Sequence, residues 1–512
     1  MKRNNLTTAV VAGIAGVAGI AGLANAVELN PDGLGEVLIY PYYTVNEKQS
    51  TLISVVNTTN IAKAVKVRFL EGHNSREVLD FNLFLSRWDV WTGAVFALAD
   101  APGLTGDGAA LTTGDKSCIA PIPGESPWNG NLPDGRPYVA FLEYAYTGAN
   151  ADTGPTGLDR TREGHIELIM MADVVGDTAL ALTHVNGVPD DCEVPAALTV
   201  GDPDLVEPTG GLFGAGAIVN GAQGTFYTYN ADAIDGFSDE ELFSGTSSLQ
   251  PSLAQANTDA LSATAYVFDD GALITASYPR TATDPTNPNT NAAIDAVSAV
   301  FTSDAIFNEY NVEAAAGSNT DWVVTFPTKR FYVDPQIVGA SGNAIRPFVY
   351  RFGQVVAPNL NNAGQSCTTV GVSVYDREER TPSGPAPGFS PPPPGAPPSS
   401  LCKEVNVISF LNIAGNTPPT KSGVLGSTLV SNIRPNGTAG WARLVLDPSA
   451  QRHQLRPSTD LDVFNGLPVT GFEAVNYVNN NVVEGVLANY SGLFRHRASR
   501  SCQLDGTGGA CS

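Results

Sequence analysis

The chain has 512 residues and a formal net charge of −23, because 51 acidic side chains outnumber 28 lysines and arginines. A charge of this sign repels the phosphates of nucleic acids and the anionic headgroups of lipids. We therefore predict no nucleic-acid partner and no electrostatic docking on a membrane surface. The length is sufficient for about two to four domains with hydrophobic cores of their own.

The N-terminus has the features of a secretory signal. Lys2 and Arg3 precede an uncharged apolar run at residues 6–23, and the small-x-small motif ANA follows at residues 24–26. A membrane anchor is the alternative interpretation of the run, but the motif favours cleavage. We predict a signal peptide at residues 1–26. Without its two bases, the net charge changes from −23 to −25 in the mature chain.

The predicted mature chain lacks the run of about 18 apolar residues that a membrane-spanning helix needs, so we expect no transmembrane segment in it. It should be exported to the extracellular medium or the cell surface, with the periplasm as the other location left open. All six cysteines lie in this mature part, and no CxxC pair indicates a redox, zinc or haem site. An even number of cysteines in an exported chain predicts disulfides. Of the fifteen pairings that six cysteines permit, the one with the shortest separations joins Cys118 to Cys192, Cys367 to Cys402, and Cys502 to Cys511.

The region 27–200 has the pattern of a β-sandwich domain. Val65 and Val67 alternate with Lys66 and Arg68, which is the period of a strand with one face buried and one face in water. Polar turn clusters separate several such segments, as in a sandwich of antiparallel sheets. Further strands are predicted at residues 36–43, 52–56, 79–85, 137–146 and 165–174.

We predict a second β domain in the Gly- and Asn-rich region 201–343. An Asp-Gly turn predicts a hairpin over residues 266–277. Apolar residues at helical spacing predict one short helix at residues 292–301. The alternation at residues 322–333 predicts a strand, in which Pro327 would mark an edge or a bulge.

The region 344–512 is predicted to be a third, C-terminal β domain. Its proline-rich loop at residues 381–400 resists helix and sheet formation and should project as polyproline II. Such a segment is either a ligand for an aromatic groove or an exposed loop, and the loop is favoured here. Strands are predicted at residues 370–375, 405–410, 440–446 and 483–490. The predicted fold is thus all-β, with two or three antiparallel β-sandwich (Ig-like) domains, one short helix and a proline-rich loop.

Four long strings carry a resemblance to a family of exported proteobacterial proteins of uncharacterised activity. They are GEVLIYPYYTVN, SVVNTTNIAKAVKVRFLEGHNSREVLDFNLFLS, WVVTFPTKRFYVD and GLFRHRASRSC. The resemblance covers residues 35–502 and implies export and a shared fold. It implies no activity, cofactor or catalytic residue.

Local catalytic motifs are missing from the sequence. It contains no GxSxG, no HExxH, and no P-loop or dinucleotide glycine motif. Paired carboxylates need no local signature, and Glu143, Glu163 and Glu167 are the candidates for such a pair on or near predicted strands. Sheet aromatics that stack on sugar rings are another possibility, with core packing as the alternative. The candidate aromatics are Tyr40, Tyr42, Tyr43, Phe226, Tyr227 and Tyr229.

An acidic loop is the most ordered polar cluster in the sequence. Asn230, Asp232, Asp235 and Glu241 surround Gly236, and calcium prefers hard oxygens from a loop that turns sharply. The spacing misses the EF-hand pattern by one residue. A calcium loop of another type and a solvated acidic turn therefore both stay open.

These observations favour a protein without catalytic residues. We expect an exported structural or interaction protein, not an enzyme, at the cell surface or in the extracellular medium, with components of the cell envelope or matrix as partners. The alternative is a secreted polysaccharide-binding module or a glycoside-acting enzyme whose acids and aromatics meet only in the fold.

Overall fold

A computed structural model describes residues 26–152, 154–256, 262–269, 271–279, 292–338, 346–348, 365–380, 399–411, 419–435, 437–448, 453–479, 482–486, 488–507, 509 and 511. Two predictions fall mainly on other residues. The signal peptide lies outside the described residues except for its last position, and the proline-rich loop does so except for residues 399–400.

The described chain is mainly β. The strands of the first half are β1 (Val27–Leu29), β2 (Val37–Thr44), β3 (Ser50–Asn57), β4 (Ala62–Glu71), β5 (Glu77–Leu85), β6 (Val90–Ala97), β7 (Ala109–Thr112), β8 (Cys118–Ala120), β9 (Gly130–Asn131), β10 (Pro137–Ala140), β11 (Glu163–Val174), β12 (His184–Val185), β13 (Val188–Pro189), β14 (Leu205–Val206), β15 (Leu212–Asn220), β16 (Thr225–Asn230), β17 (Asp232–Asp235), β18 (Ser262–Asp269) and β19 (Ala272–Pro279).

The strands of the second half are β20 (Thr302–Ser303), β21 (Ala305–Asn311), β22 (Ser318–Thr325), β23 (Thr368–Thr369), β24 (Gly371–Asp376), β25 (Ser400–Leu401), β26 (Val405–Phe410), β27 (Val430–Ile433), β28 (Ala439–Val445), β29 (Asp462–Phe464), β30 (Leu467–Pro468), β31 (Thr470–Tyr477), β32 (Tyr490–Arg495), β33 (Arg497–Ser499) and β34 (Cys502–Leu504). The α-helices are α1 (Gly176–Ala181), α2 (Glu193–Ala196), α3 (Ala292–Phe301), α4 (Arg330–Val333) and α5 (Pro335–Val338). Short 3-10 helices are found at Asn46–Lys48, Leu98–Asp100, Tyr144–Tyr146, Gly148–Asn150, Leu158–Arg162, Leu253–Gln255 and Ala314–Ala316.

Two large sheets pack face to face as the first sandwich. One has the order β19-β18-β1-β17-β2-β11-β4-β5-β8, with β14 beside β11, and the other has the order β16-β15-β3-β6-β7-β10-β9. Val67 and Leu168 of the ten-stranded sheet share one buried core with Ile53 and Trp91 of the seven-stranded sheet. Alternation with period two therefore fixes which side chains face this core.

The second sandwich pairs a four-stranded sheet, β24-β28-β21-β33, with a five-stranded sheet, β27-β26-β22-β31-β32. Tyr310 stacks on Phe410 between the two sheets, with ring centroids 5.2 Å apart. Helix α3 is buried along its whole length and joins this core to the end of the ten-stranded sheet. The opposite face of the five-stranded sheet packs on the first sandwich, where Phe472 stacks on Tyr229.

Strand pairing groups residues 27–279 into the first sandwich and residues 302–504 into the second. Strands from different predicted domains therefore share sheets. The pairing of β17 with β2 crosses the predicted boundary at residue 200, and the pairing of β22 with β26 and β31 crosses the one at residue 343. The all-β sandwich prediction is confirmed. The three-part division at residues 200 and 343 stays a prediction.

Three predicted strands need correction. The segment 322–333 ends as a strand at β22 and continues into α4, because Pro327 has no N–H for the ladder. Within its described residues, the segment 483–490 contains an isolated bridge around a turn at Gly485, and β32 starts where the segment ends. The segment 137–146 is a strand only over β10, and its end is 3-10 helical.

The prediction that one face of β4 lies in water is also wrong. All ten residues of β4 are buried, including Lys66 and Arg68. The loop after β17 and the region of α4 cover this outer face, as shown by the contacts of Lys66 with Gly245 and by the pocket described below. Lys66 is paired with Asp80, and this pairing offsets part of the cost of burying charge.

The predicted disulfide pairing is confirmed. The sulfur atoms join Cys118 to Cys192, Cys367 to Cys402, and Cys502 to Cys511, and none of the six cysteines is free. Disulfides of this kind form in oxidising compartments. Within the described residues, no helix is long and apolar enough to cross a membrane.

Candidate functional site

The predicted calcium ligands Asp232 and Asp235 do not face one site. They are the two ends of β17, and residues three apart in a strand point to opposite faces of the sheet. Asp232 is buried, accepts a hydrogen bond from the Thr470 hydroxyl and forms an ion pair with Arg495 at 2.5 Å. Its carboxylate therefore links the two sandwiches.

The other two ligands of the predicted loop are also apart from a common centre. Asn230 is exposed at the end of β16, and a Glu241 oxygen accepts a backbone N–H two residues further along its own loop. In the described part of the chain, Asp462, Cys502 and Cys511 alone form a group of three or more potential ligands within 4.8 Å. The disulfide removes both thiolates from that group. The calcium interpretation stays a prediction.

Glu163 lies in the interface between the sandwiches. One of its carboxylate oxygens accepts hydrogen bonds from the hydroxyls of Tyr42 at 2.9 Å and Ser427 at 2.5 Å. The other accepts the N–H and the hydroxyl of Thr428 at 2.8 and 2.6 Å. Four donors thus occupy a carboxylate that is 2% exposed, and its geometry is that of a structural anchor.

The other two candidate carboxylates are in different surroundings. Glu167 is buried and forms an ion pair with Arg68 at 2.8 Å, while Glu143 is exposed beside a 3-10 helix. Burial raises the pKa of Glu167, but Arg68, His165 and Arg330 together outweigh this effect and the resulting pKa is lowered. Glu163, Glu167 and Glu143 do not form the open pair of acids that glycoside hydrolysis requires.

Most of the predicted sugar-stacking aromatics are core residues. Five of the six are buried, namely Tyr40, Tyr42, Tyr43, Tyr227 and Tyr229, and only Phe226 is exposed. Of the two interpretations, core packing therefore holds for the five tyrosines, and sugar stacking does not. Their alternate spacing reflects packing between the sheets.

A pocket of about 440 Å³ opens on the outer face of the ten-stranded sheet, where the two sandwiches meet. Its lining includes Arg68 of β4, Arg76 of the following loop and Arg330 of α4. Leu249 and Ile294 contribute aliphatic surface. Sites for small molecules are typically concave, are found at domain junctions and have volumes of roughly 300–1,000 Å³.

Carboxylates hold each of the three guanidinium groups in place. Arg68 bonds Glu77 through Nε at 2.7 Å and Glu167 through Nη1 at 2.8 Å. Arg76 and Arg330 share the carboxylate of Asp334, at 3.1 and 3.3 Å. These ion pairs connect residues from both sandwiches, so the docking of the sandwiches sets the geometry of the pocket.

The three positive charges act on one another. Burial lowers the pKa of the Arg330 guanidinium, and Asp334 opposes this shift. The charges of Arg76 and Arg68 lower the same pKa further. Burial also raises the pKa of Glu77, although Arg68 opposes it. Burial and the two neighbouring guanidinium groups thus lower the pKa of Arg330 in the same direction.

Comparisons with family models, curated proteins and solved structures found no match.

A second feature is the exposed face of the four-stranded sheet, here called the aromatic face and defined by Phe307, Tyr375, Trp441, Arg443 and Arg497. Alternation in β28 places Ala442 and Leu444 in the core, and their neighbours on the opposite face. Tyr375 stacks on Trp441 with ring centroids 4.6 Å apart, and Trp441 lies 6.4 Å from Phe307. The three rings form a continuous row on three adjacent strands.

The two arginines of the aromatic face flank this row. The Arg443 guanidinium lies 5.5 Å from the centroid of Phe307, and both Arg443 and Arg497 are register partners of Phe307. Neither arginine forms a salt bridge with a described residue. The buried Nε of Arg443 also lacks a hydrogen-bond partner within the described chain.

Neither the pocket nor the aromatic face is evident from the sequence alone. The aromatic face is assembled from strands separated by up to about 190 residues, so no local window contains it. The density of arginines in the last third of the chain is the sequence signal that points toward the aromatic face. The pocket residue Arg68 falls on the predicted solvated face of a strand, because the burial of that face depends on distant segments.

Proposed function

We propose that this protein works outside the cytoplasm as a non-catalytic interaction protein, and that its aromatic face binds an acidic polysaccharide of the cell envelope or extracellular matrix. The observation that carries the proposal is the row of three rings flanked by two arginines without salt bridges. Aromatic faces stack on sugar rings, and guanidinium groups form paired hydrogen bonds with carboxylates.

The charge distribution supports an acidic partner for this face. Residues 344–512 contain 13 Lys and Arg against 10 Asp and Glu, whereas residues 27–343 contain 13 against 41. The second sandwich thus includes the less acidic part of a strongly acidic chain. A polyanion is repelled by the first sandwich and attracted to the arginines of the aromatic face, so the charge pattern favours one orientation of binding.

Titration with polygalacturonate, and with neutral dextran as the control polymer, tests the proposal. We expect binding of polygalacturonate alone, weakened by added salt because exposed charges are screened. Trp441→Ala should weaken binding by about threefold to tenfold, equivalent to roughly 0.7–1.4 kcal/mol. Trp88→Ala is the matched control, because Trp88 is exposed but lies in the first sandwich.

Three results would contradict the proposal. Equal binding of dextran and polygalacturonate would show that the arginines have no role. Equal losses for the Trp441 and Trp88 variants would place the binding surface elsewhere. Release of new reducing ends from the polymer would favour the alternative of a glycoside-acting enzyme.

A further inference from the structure

The pocket between the sandwiches combines two kinds of surface. Guanidinium groups converge on it from β4, the loop after β4 and α4, and aliphatic side chains from three other segments line it as well. Apolar atoms therefore lie next to fixed positive groups in a cavity of about 440 Å³. This combination suits a ligand that has a charged group and a hydrocarbon body.

Two of the arginines keep hydrogen-bonding capacity for a ligand. Arg68 uses Nε and Nη1 for its carboxylate partners, and Arg330 uses Nε for Asp334 and Nη1 for the carbonyl oxygen of Ser75. The Nη2 group of each has no hydrogen-bond partner among the described residues. A guanidinium has five N–H donors, so a further acceptor can bind without displacing the existing partners.

Charge also favours an anion at this position. Among the described residues, three guanidinium groups and one carboxylate, that of Glu77, line the pocket, so an added negative group would offset an excess of positive charge. Burial restricts competition from water, which strengthens hydrogen bonds between a charged donor and a charged acceptor. A cationic ligand would add to this excess instead.

We propose that the pocket binds an amphipathic organic acid, with its carboxylate on Nη2 of Arg68 and Arg330 and its aliphatic body against Leu249, Ile294 and Ile337. This site is separate from the aromatic face, so the proposal does not depend on the proposed function. Binding would bridge the two sandwiches, because the residues on the ligand come from both. A ligand held in this way stabilises the folded state by mass action.

Octanoate is a suitable probe, with 1-octanol as the neutral control of equal chain length. Isothermal titration calorimetry of the full chain should detect octanoate binding that is at least about tenfold tighter than octanol binding, as expected for a charge-assisted hydrogen bond. Arg330→Gln should remove this preference for the acid. Equal affinity for both probes, or no octanoate binding, would overturn the proposal.

A second pair of variants keeps the test independent of the buried ion pairs. Leu249 lines the pocket but is 63% exposed, so Leu249→Glu should leave the fold intact and repel the carboxylate. Leu180 is 68% exposed on α1 and does not line the pocket, which makes Leu180→Glu the matched control. We expect the first variant to bind octanoate about tenfold more weakly than the second. Equal affinities would overturn the placement of the ligand.

Discussion

Replacing Glu163 with alanine should destabilise the contact between the sandwiches strongly. The carboxylate accepts four hydrogen bonds from Tyr42, Ser427 and Thr428. The hydroxyls of Tyr42 and Ser427 belong to residues with no exposed surface, so water cannot replace the lost acceptor there. The variant therefore leaves at least two buried donors without a partner.

The expected magnitude follows from these donors. Each buried donor left unsatisfied costs about 1–3 kcal/mol, and the two partly buried donors of Thr428 add a smaller amount. Removal of the buried carboxylate recovers part of its desolvation cost. We expect Glu163→Ala to lower the free energy of unfolding by roughly 3–5 kcal/mol. Glu143→Ala, at an exposed glutamate, should change it by less than about 0.5 kcal/mol.

Urea unfolding followed by tryptophan fluorescence measures this difference. A double-mutant cycle with Ser427→Ala should give a coupling of about 0.5–3 kcal/mol, because the two side chains share one hydrogen bond. A loss of less than about 1 kcal/mol for Glu163→Ala would refute the reasoning. Loss of a hydrolytic activity with unchanged stability would instead assign Glu163 a catalytic role.

Three further outcomes follow from other buried groups. Burial raises the pKa of Glu36 to about 8, so the free energy of unfolding should fall as the pH rises from 4.5 to 8. In the Glu36→Gln variant this pH-dependent fall should be smaller by about 1.4 kcal/mol or more. Asp232→Ala should lower the melting temperature equally in calcium and in chelator, because it breaks the ion pair with Arg495; a loss confined to calcium buffer would support the calcium interpretation. Thiol labelling of the denatured, unreduced protein should find essentially no free cysteine, and two or more labelled cysteines would contradict the three disulfides.

Local sequence patterns predicted the strands well because a strand displays its period within a few residues. The alternation around Val67 correctly identified β4 and the side chains that face the core. The same window contained no information about the opposite face, which later segments of the chain cover. Lys66 and Arg68 have the composition of a solvated face, yet they are buried because Asp80, Glu77 and Glu167 supply partners.

The candidate sites were harder to predict than the strands because they depend on strand register and on docking. The stacking of Tyr375 on Trp441 requires β24 and β28 to pair in one register, since a shift by one residue would turn one ring into the core. The tyrosines of β2 and β16, which were candidates for sugar stacking, have the same local pattern but lie inside the sandwich. The same alternation of aromatic residues thus occurs in a core and on a surface. Whether another layer of the protein covers the aromatic side chains decides between the two, and the local sequence does not show this.

The buried ion pairs at the junction have a consequence for specificity. Apolar surfaces tolerate sliding, whereas Arg76 meets Asp334 and Glu163 meets Ser427 only in one relative placement of the sandwiches. Any other placement would separate Arg76 from Asp334 and leave Glu163 without the donors of Ser427 and Thr428, and the loss of such buried partners is destabilising. Docking is thereby restricted to the arrangement in which Arg68 and Arg330 line one pocket. The same contacts fix the interface and the pocket, so a ligand bound in the pocket should stabilise both sandwiches together. A variant that destabilises the interface should also lower the affinity for the ligand.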